Sequence, residues 1–139
     1  MEKDADGQSV YELLEGERVT CSAAVPTVWQ VLLDYLDHQG LKLTTLKRVA
    51  IGGSACPPAL MRAFRDVHGV EVGHAWGMTE MSPLGTLCKL QNKHTALPKE
   101  AQDKLLEKQG HSIFGVDMKI VDDEDRELPW DGKAYGNLL

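Results

Sequence analysis

No apolar run in this 139-residue sequence approaches the ~20 residues a membrane-crossing helix needs, so a transmembrane segment is not expected. Cysteine is scarce. Cys21, Cys56 and Cys88 are odd in number, far apart, and form no CxxC pair or metal-ligand spacing. This excludes a disulfide scaffold and points to reduced thiols in a cytoplasmic protein. Basic charge is also short: 15 Lys and Arg stand against 21 Asp and Glu, a net −6. Nucleic acid and anionic membranes call for a dense basic stripe, and none is present. A small anionic ligand stays compatible, because backbone amides and a bound cation supply positive charge locally. The polar, acidic stretch from Met1 to Gly7 excludes a secretory signal and argues against a transit peptide.

Several chemical signatures are missing as well. Gly52-Gly53-Ser54 is not GxGxxG, and there is no GxSxG elbow. Gly110 and Gly115 have Walker A spacing, but Val116 stands where the lysine belongs. The five histidines never fall at HxxxH spacing, and the acidic run Asp122–Glu127 lacks the EF-hand glycine and terminal glutamate.

What is present has a clear order. Ser9-Val10-Tyr11-Glu12 reads as a capping box opening a short helix. Residues 19–23 read as a buried strand. Pro26 then opens a helix over 26–39 with an apolar stripe of Val28, Val31, Leu32, Tyr35 and Leu36, stopped by Gly40. A strand near 48–52 leads to Pro57-Pro58 and a helix over 57–68, striped by Leu60, Ala63, Phe64 and Val67 and stopped by Gly69. A third strand covers 70–75. This alternation predicts parallel strands with right-handed helical crossovers. Residues 77–96 show no convincing periodicity. A polar surface helix follows from Leu97-Pro98 to Gln109, with Glu100 and Lys104 paired. From Val116 the pattern changes to a strand, a charged turn and a returning strand, an antiparallel hairpin. The expected class is α/β: a parallel sheet flanked by helices, with 1–115 as the α/β unit and 116–139 as the hairpin region.

Ligands of open α/β sheets bind at the carboxyl ends of the strands. Two loops leave strands there. In Gly52-Gly53-Ser54-Ala55-Cys56-Pro57-Pro58 the small residues let a flat ligand approach the backbone, though a plain tight turn reads the same way. In His74-Ala75-Trp76-Gly77-Met78-Thr79-Glu80 a hydroxyl and a carboxylate stand together after a glycine, which suits phosphate with magnesium. Taken singly, Trp76 reads rather as a core tryptophan, and Thr79 and Glu80 as solvated or helix-capping residues.

Together the two loops are more specific. Gly52-Gly53-Ser54-Ala55 followed by Trp76-Gly77-Met78-Thr79-Glu80 resembles the adenylate-forming superfamily, whose hallmark is an aromatic-Gly-x-Thr-Glu loop. Arg18–Ser22 with Val25-Pro26-Thr27-Val28-Trp29, Phe114–Val121, and Glu127-Leu128-Pro129-Trp130-Asp131-Gly132 resemble bacterial fatty-acyl-CoA synthetases. The likeness runs from about Gly7 to Leu139. It implies a carboxylate attacking the α-phosphate of ATP to give acyl-adenylate and pyrophosphate, with CoA then displacing AMP. On these residues it implies Thr79 at phosphate, Glu80 holding Mg²⁺, and Trp76 against adenine. Gly52, Gly53, Ser54 and Ala55, with His74, Ala75, Gly77 and Met78, would wall the nucleotide and acyl pocket.

The same resemblance marks what these residues do not include. The Ser/Thr/Gly-rich phosphate loop, the ribose-binding aspartate motif and the small domain with the adenylation lysine are not among them. The expectation is therefore a middle slice of the large N-terminal domain. ATP, Mg²⁺ and CoA are expected for the parent enzyme and none is required of this slice, which is expected to be inactive alone. The alternative is a non-catalytic unit that self-associates, as a homodimer, through surfaces other segments cover. A Rossmann-type module is disfavoured because neither phosphate fingerprint is present.

Overall fold

The computed structural model describes residues 6–139; the polar residues 1–5 lie outside them. The first helix, α1 (Gly7–Gly16), is capped one turn earlier than the sequence suggests. Asp6, in extended backbone, accepts the Ser9 N–H at 2.7 Å. A carboxylate outcompetes the Ser9 hydroxyl for the free donors of the first turn, and Glu12 instead accepts from Gln8 Nε2.

Strand β1 (Cys21–Ala24) leads into α2 (Pro26–Gln39), whose limits the sequence predicted from its proline and glycine. Gly40 takes φ 64°, the left-handed conformation that ends a helix cheaply only for glycine. The buried face of α2 is rotated from the expected one. Trp29, Leu32, Leu33 and Leu36 are buried, whereas Val31 is 42% exposed and Val28 and Tyr35 are half-buried. Both sets have helical spacing. The set carrying the large indole faces the sheet because it removes more apolar surface from water. The other edge meets α1: a Cβ on Gly7 would lie 2.5 Å from Tyr35 Cβ, and the Tyr11 and Tyr35 rings sit 6.0 Å apart. The stripe expected to need an outside partner is thus largely satisfied within the chain.

Strand β2 (Arg48–Ile51) is followed by α3 (Pro58–Arg62), which continues as a π-helical stretch over Ala63–Val67. Leu60, Met61 and Phe64 are buried, and Val67 is 52% exposed. The wider π winding turns Val67 off the expected stripe. Strand β3 (Glu71–Gly77) pairs with β4 (Leu84–Cys88), and α4 (Lys99–Leu106) precedes the short β5 (His111–Ser112). Helix α4 is shorter than predicted at both ends, but its Glu100–Lys104 pair forms at 2.9 Å.

These strands make one five-stranded sheet in the order β1-β2-β3-β4-β5. The β1–β2 and β2–β3 pairs are parallel as expected; β3–β4 and β4–β5 are antiparallel. Strands β4 and β5 were not foreseen. Strand β1 is an edge strand rather than a buried one, with Cys21 and Ala23 exposed. The C-terminal hairpin is a separate pair, β6 (Ile120–Val121) with antiparallel β7 (Asn137–Leu138). Asp122 organises its charged turn by accepting from the Glu124 and Arg126 amides and from Arg126 Nε.

Helices α2 and α3 pack on one face of the sheet. Trp29 meets Phe64 edge-on at 5.4 Å and donates its indole N–H to the Ala50 carbonyl at 3.4 Å. Val49, Ile51 and Val72 complete this core. Ala50 and Gly73 alternate with those core residues and point to the opposite face. There, with Leu87 and a rim of Cys21, Arg48, Glu71 and Lys89, they line a shallow depression of about 260 Å³.

Candidate functional site

The site follows from register. Ile51, the last residue of β2, pairs with His74 of parallel β3, which runs on to Gly77, so both strands end on the same side of the sheet. Gly52 and Ala75 consequently lie side by side. A Cβ added to Gly52 would sit 2.9 Å from the Ala75 carbonyl oxygen and 3.3 Å from its Cβ. The Gly52–Ala55 and Trp76–Glu80 segments therefore arise from one spot, as the carboxyl-end argument requires.

A third segment joins them. Val25, at the exit of β1, places Cγ1 3.0 Å from the position of a Cβ on Gly53, whose φ is 83°. Sequence reading placed Val25 between the first strand and the helix opened by Pro26 and did not name it for the site. The rule that named the other two loops would have found it, since β1 also ends there.

Within this cluster the predicted residues divide by exposure. Gly53, Ser54 and Ala55 are exposed, as are Gly77, Met78, Thr79 and Glu80; Gly52, Ala75 and Trp76 are half-buried. Thr79 and Glu80 open a single 3₁₀ turn, Thr79–Met81, so hydroxyl and carboxylate project from one short, tight element. Gly77 is fixed by contact rather than by φ: a Cβ there would stand 1.8 Å from the Pro83 carbonyl oxygen. Trp76 packs within its own hairpin, where a Cβ on Gly85 would lie 2.9 Å from the indole Cζ3 and 2.5 Å from Met81 Sδ. His74 is placed differently from the rest. It is 3% exposed, opposite Cys88 in the sheet, and its Nδ1 has no hydrogen-bond partner among the described residues.

The electrostatics leave no cysteine as a reactive group beside these loops. Burial pushes the Cys56 thiol up to about 11, so it stays protonated near neutrality. Among the described residues no group of three His, Cys, Asp or Glu gathers to hold a metal. A lone exposed carboxylate fits magnesium only as one ligand among substrate oxygens and water, which is how that ion is commonly held. A groove of about 480 Å³ between α2 and α3 is lined by residues of those helices and the segments after them, none from the three loops.

The family profile described as AMP-binding enzyme matches residues 1–139. The chain belongs to the AMP-binding enzyme family. It is 49% identical over 136 residues to the 3-methylmercaptopropionyl-CoA ligase of Ruegeria pomeroyi, covering 98% of this chain and 25% of that protein. It is 46% identical over 134 residues to the medium-chain-fatty-acid–CoA ligase of Ectopseudomonas oleovorans, covering 96% of this chain and 24% of the relative. The chain thus spans about a quarter of the length of these AMP-binding relatives. Among solved structures, a long-chain-fatty-acid-CoA ligase from Archaeoglobus fulgidus superposes with a TM-score of 0.75. It shares 24% identity, over 96% of this chain and 26% of that one, and so supports the AMP-binding fold alone. No helix among the described residues is long and apolar enough to cross a membrane.

Proposed function

We propose that this chain supplies the acyl-adenylate-forming loops of an ATP-dependent carboxylic acid–CoA ligase working in the cytoplasm. The observation that carries the reading is the convergence of the Gly52–Ala55 and Trp76–Glu80 segments at the carboxyl ends of adjacent parallel strands, in a chain of the AMP-binding family. In this reading the backbone at Gly52 and Gly53, with Ala75, walls a flat ligand, the adenine and the start of the acyl chain. Trp76 lies against the base. Thr79 donates its hydroxyl to a phosphate oxygen, and Glu80 is the protein's ligand to Mg²⁺, which neutralises charge on the phosphates when bound. Preorganised donors of this kind act where charge develops at the α-phosphate as the carboxylate attacks. His74 supports β3 from inside rather than touching substrate. An acyl-CoA product follows from the relatives' activities, and the acid class is that of aliphatic carboxylates.

A segment exchange tests this. Residues 7–139 replace the matching stretch of the Ruegeria pomeroyi ligase, and acyl-CoA formation is measured on the folded hybrid. Activity within about tenfold of the parent supports the assignment; a hybrid that melts like the parent but forms no acyl-CoA contradicts it.

A second reading rests on the bare sheet face. Ala50, Gly73 and Leu87 form a flat apolar strip, and parallel sheets are ordinarily covered on both faces. We propose that the isolated chain pairs with a second copy through it. Sedimentation showing monomer throughout a dilution series from micromolar concentration removes this reading.

A further inference from the structure

The connection between α2 and β2 is held from both sides by groups that acid alters. On one side, Glu15 at the end of α1 accepts the Thr44 N–H on Oε1 at 2.9 Å and the Thr44 hydroxyl on Oε2. On the other, His68, just past the π-helical stretch, accepts the Leu43 N–H on Nδ1 at 3.4 Å. That bond requires a lone pair on Nδ1, hence a neutral ring. Leu43 itself is 6% exposed, so these three bonds keep a buried side chain seated.

Other contacts secure the flanks without involving a titratable group. The Leu41 N–H bonds Leu36 O at 2.9 Å, Thr45 Oγ1 donates to Val19 O at 3.0 Å, and Lys47 N–H donates to Thr20 O at 2.9 Å. The Lys42–Thr44 stretch is therefore held chiefly by Glu15 and His68, whereas Thr45, whose amide also faces Glu15, keeps its own bond to Val19 O. We propose that this three-residue stretch is an acid-released clasp, held by the Glu15 carboxylate and the neutral His68 imidazole. Its release widens the groove of about 480 Å³ between α2 and α3, which Leu41, Lys42 and His68 wall and whose floor includes Leu33, Leu36 and Leu60.

The surrounding charges favour this. Burial lowers the His68 affinity for a proton, and Lys42 on the clasp lowers it further; Asp34 and Asp37, lining the same groove from α2, pull the other way. For Glu15, desolvation raises the pKa, and the bonds from the Thr44 hydroxyl and the Thr44 and Thr45 amides together outweigh it, leaving it lowered. Lys47, whose Nζ bonds Thr44 O at 3.4 Å, adds positive charge beside the same residue. Both folded-state values lie below the unfolded ones. Each group's contribution is therefore complete above its unfolded pKa and is lost as pH falls through its folded one. His68 releases first, below the ordinary imidazole range, and Glu15 second, below the ordinary carboxylate range.

Amide hydrogen exchange on the unmutated chain reads the clasp directly, as protection of Leu43 and Thr44 relative to Val72 in β3. The expected result is a loss of at least about tenfold at Leu43 as pH falls from about 7.5 to 5, with a further loss at Thr44 toward pH 3.5. His68→Asn, which keeps an acceptor that does not titrate, should abolish the first step only; Glu15→Gln should abolish the second only. Relative protection that does not change with pH, or steps that persist in both variants, overturns the proposal. If a variant fails to fold, the ring resonances of His68 in the unmutated chain decide it. A titration midpoint below 6.5 is required, and one at or above that value refutes the clasp.

Discussion

At the scale of single residues, the glycines separate contact from conformational freedom. Gly77 has an ordinary φ, yet a Cβ there would stand 1.8 Å from a backbone oxygen of Pro83. No side-chain rotation relieves that overlap. Gly77→Ala is therefore expected to cost about 2–3 kcal/mol and shift the Thr79–Met81 turn. Gly16, in the last turn of α1, has nothing within 4 Å of its missing Cβ. Gly16→Ala should be neutral or stabilise by up to about 1 kcal/mol. Urea melts of the two variants check the pair, and similar losses in both would contradict the contact argument. The aromatic-Gly-x-Thr-Glu run was legible in the sequence because its residue types are uncommon together. The burial of His74 was not, because nothing in a linear pattern tells an inward strand side chain from a loop residue.

At the scale of elements, punctuation was more readable than faces. Pro26 and Gly40 bracket α2, and Pro58 opens α3, because proline fixes φ at a helix start and glycine accepts the left-handed stop. The buried face of α2 was misjudged because two overlapping sets of apolar residues share the same spacing, and only tertiary packing decides between them. Strand β4 was invisible for a related reason. Gly85, Thr86 and Cys88 are buried without alternating polarity, and Gly85 is occupied by the Trp76 ring rather than by a side chain of its own. The corrected face makes a sharp prediction. Phe64→Ala, which removes the ring packed edge-on against Trp29, should cost about 3–5 kcal/mol. Val31→Ala, on the stripe first expected to be buried, should stay within about 1 kcal/mol. Denaturant titration of both decides which face is buried, and a larger loss at Val31 would reverse the assignment.

At the scale of the whole molecule, the sheet gathers the proposed adenylation loops at one end. Only one carboxylate, Glu80, stands among the exposed loop residues proposed to meet phosphate and metal. The resemblance that names these loops also places a phosphate loop, a ribose-binding aspartate and an adenylation lysine elsewhere in such enzymes. By that resemblance several charge-stabilising groups lie outside these 139 residues, and each is typically worth about 10²–10³ in rate. The isolated chain is therefore expected to release no pyrophosphate from ATP and a fatty acid. Mg²⁺-dependent release by the purified chain that vanishes on Glu80→Ala would contradict this. The segment-exchange hybrid offers the reverse test, because there the loops sit beside the remaining machinery. In that hybrid, Glu80→Ala should lower kcat for pyrophosphate release by about 10²–10³. Glu100→Ala, on the exposed face of α4, should leave it within about twofold. Equal rates for the Glu80→Ala hybrid and its parent would contradict the central claim that the Trp76–Glu80 turn holds the phosphate and metal of the adenylation step.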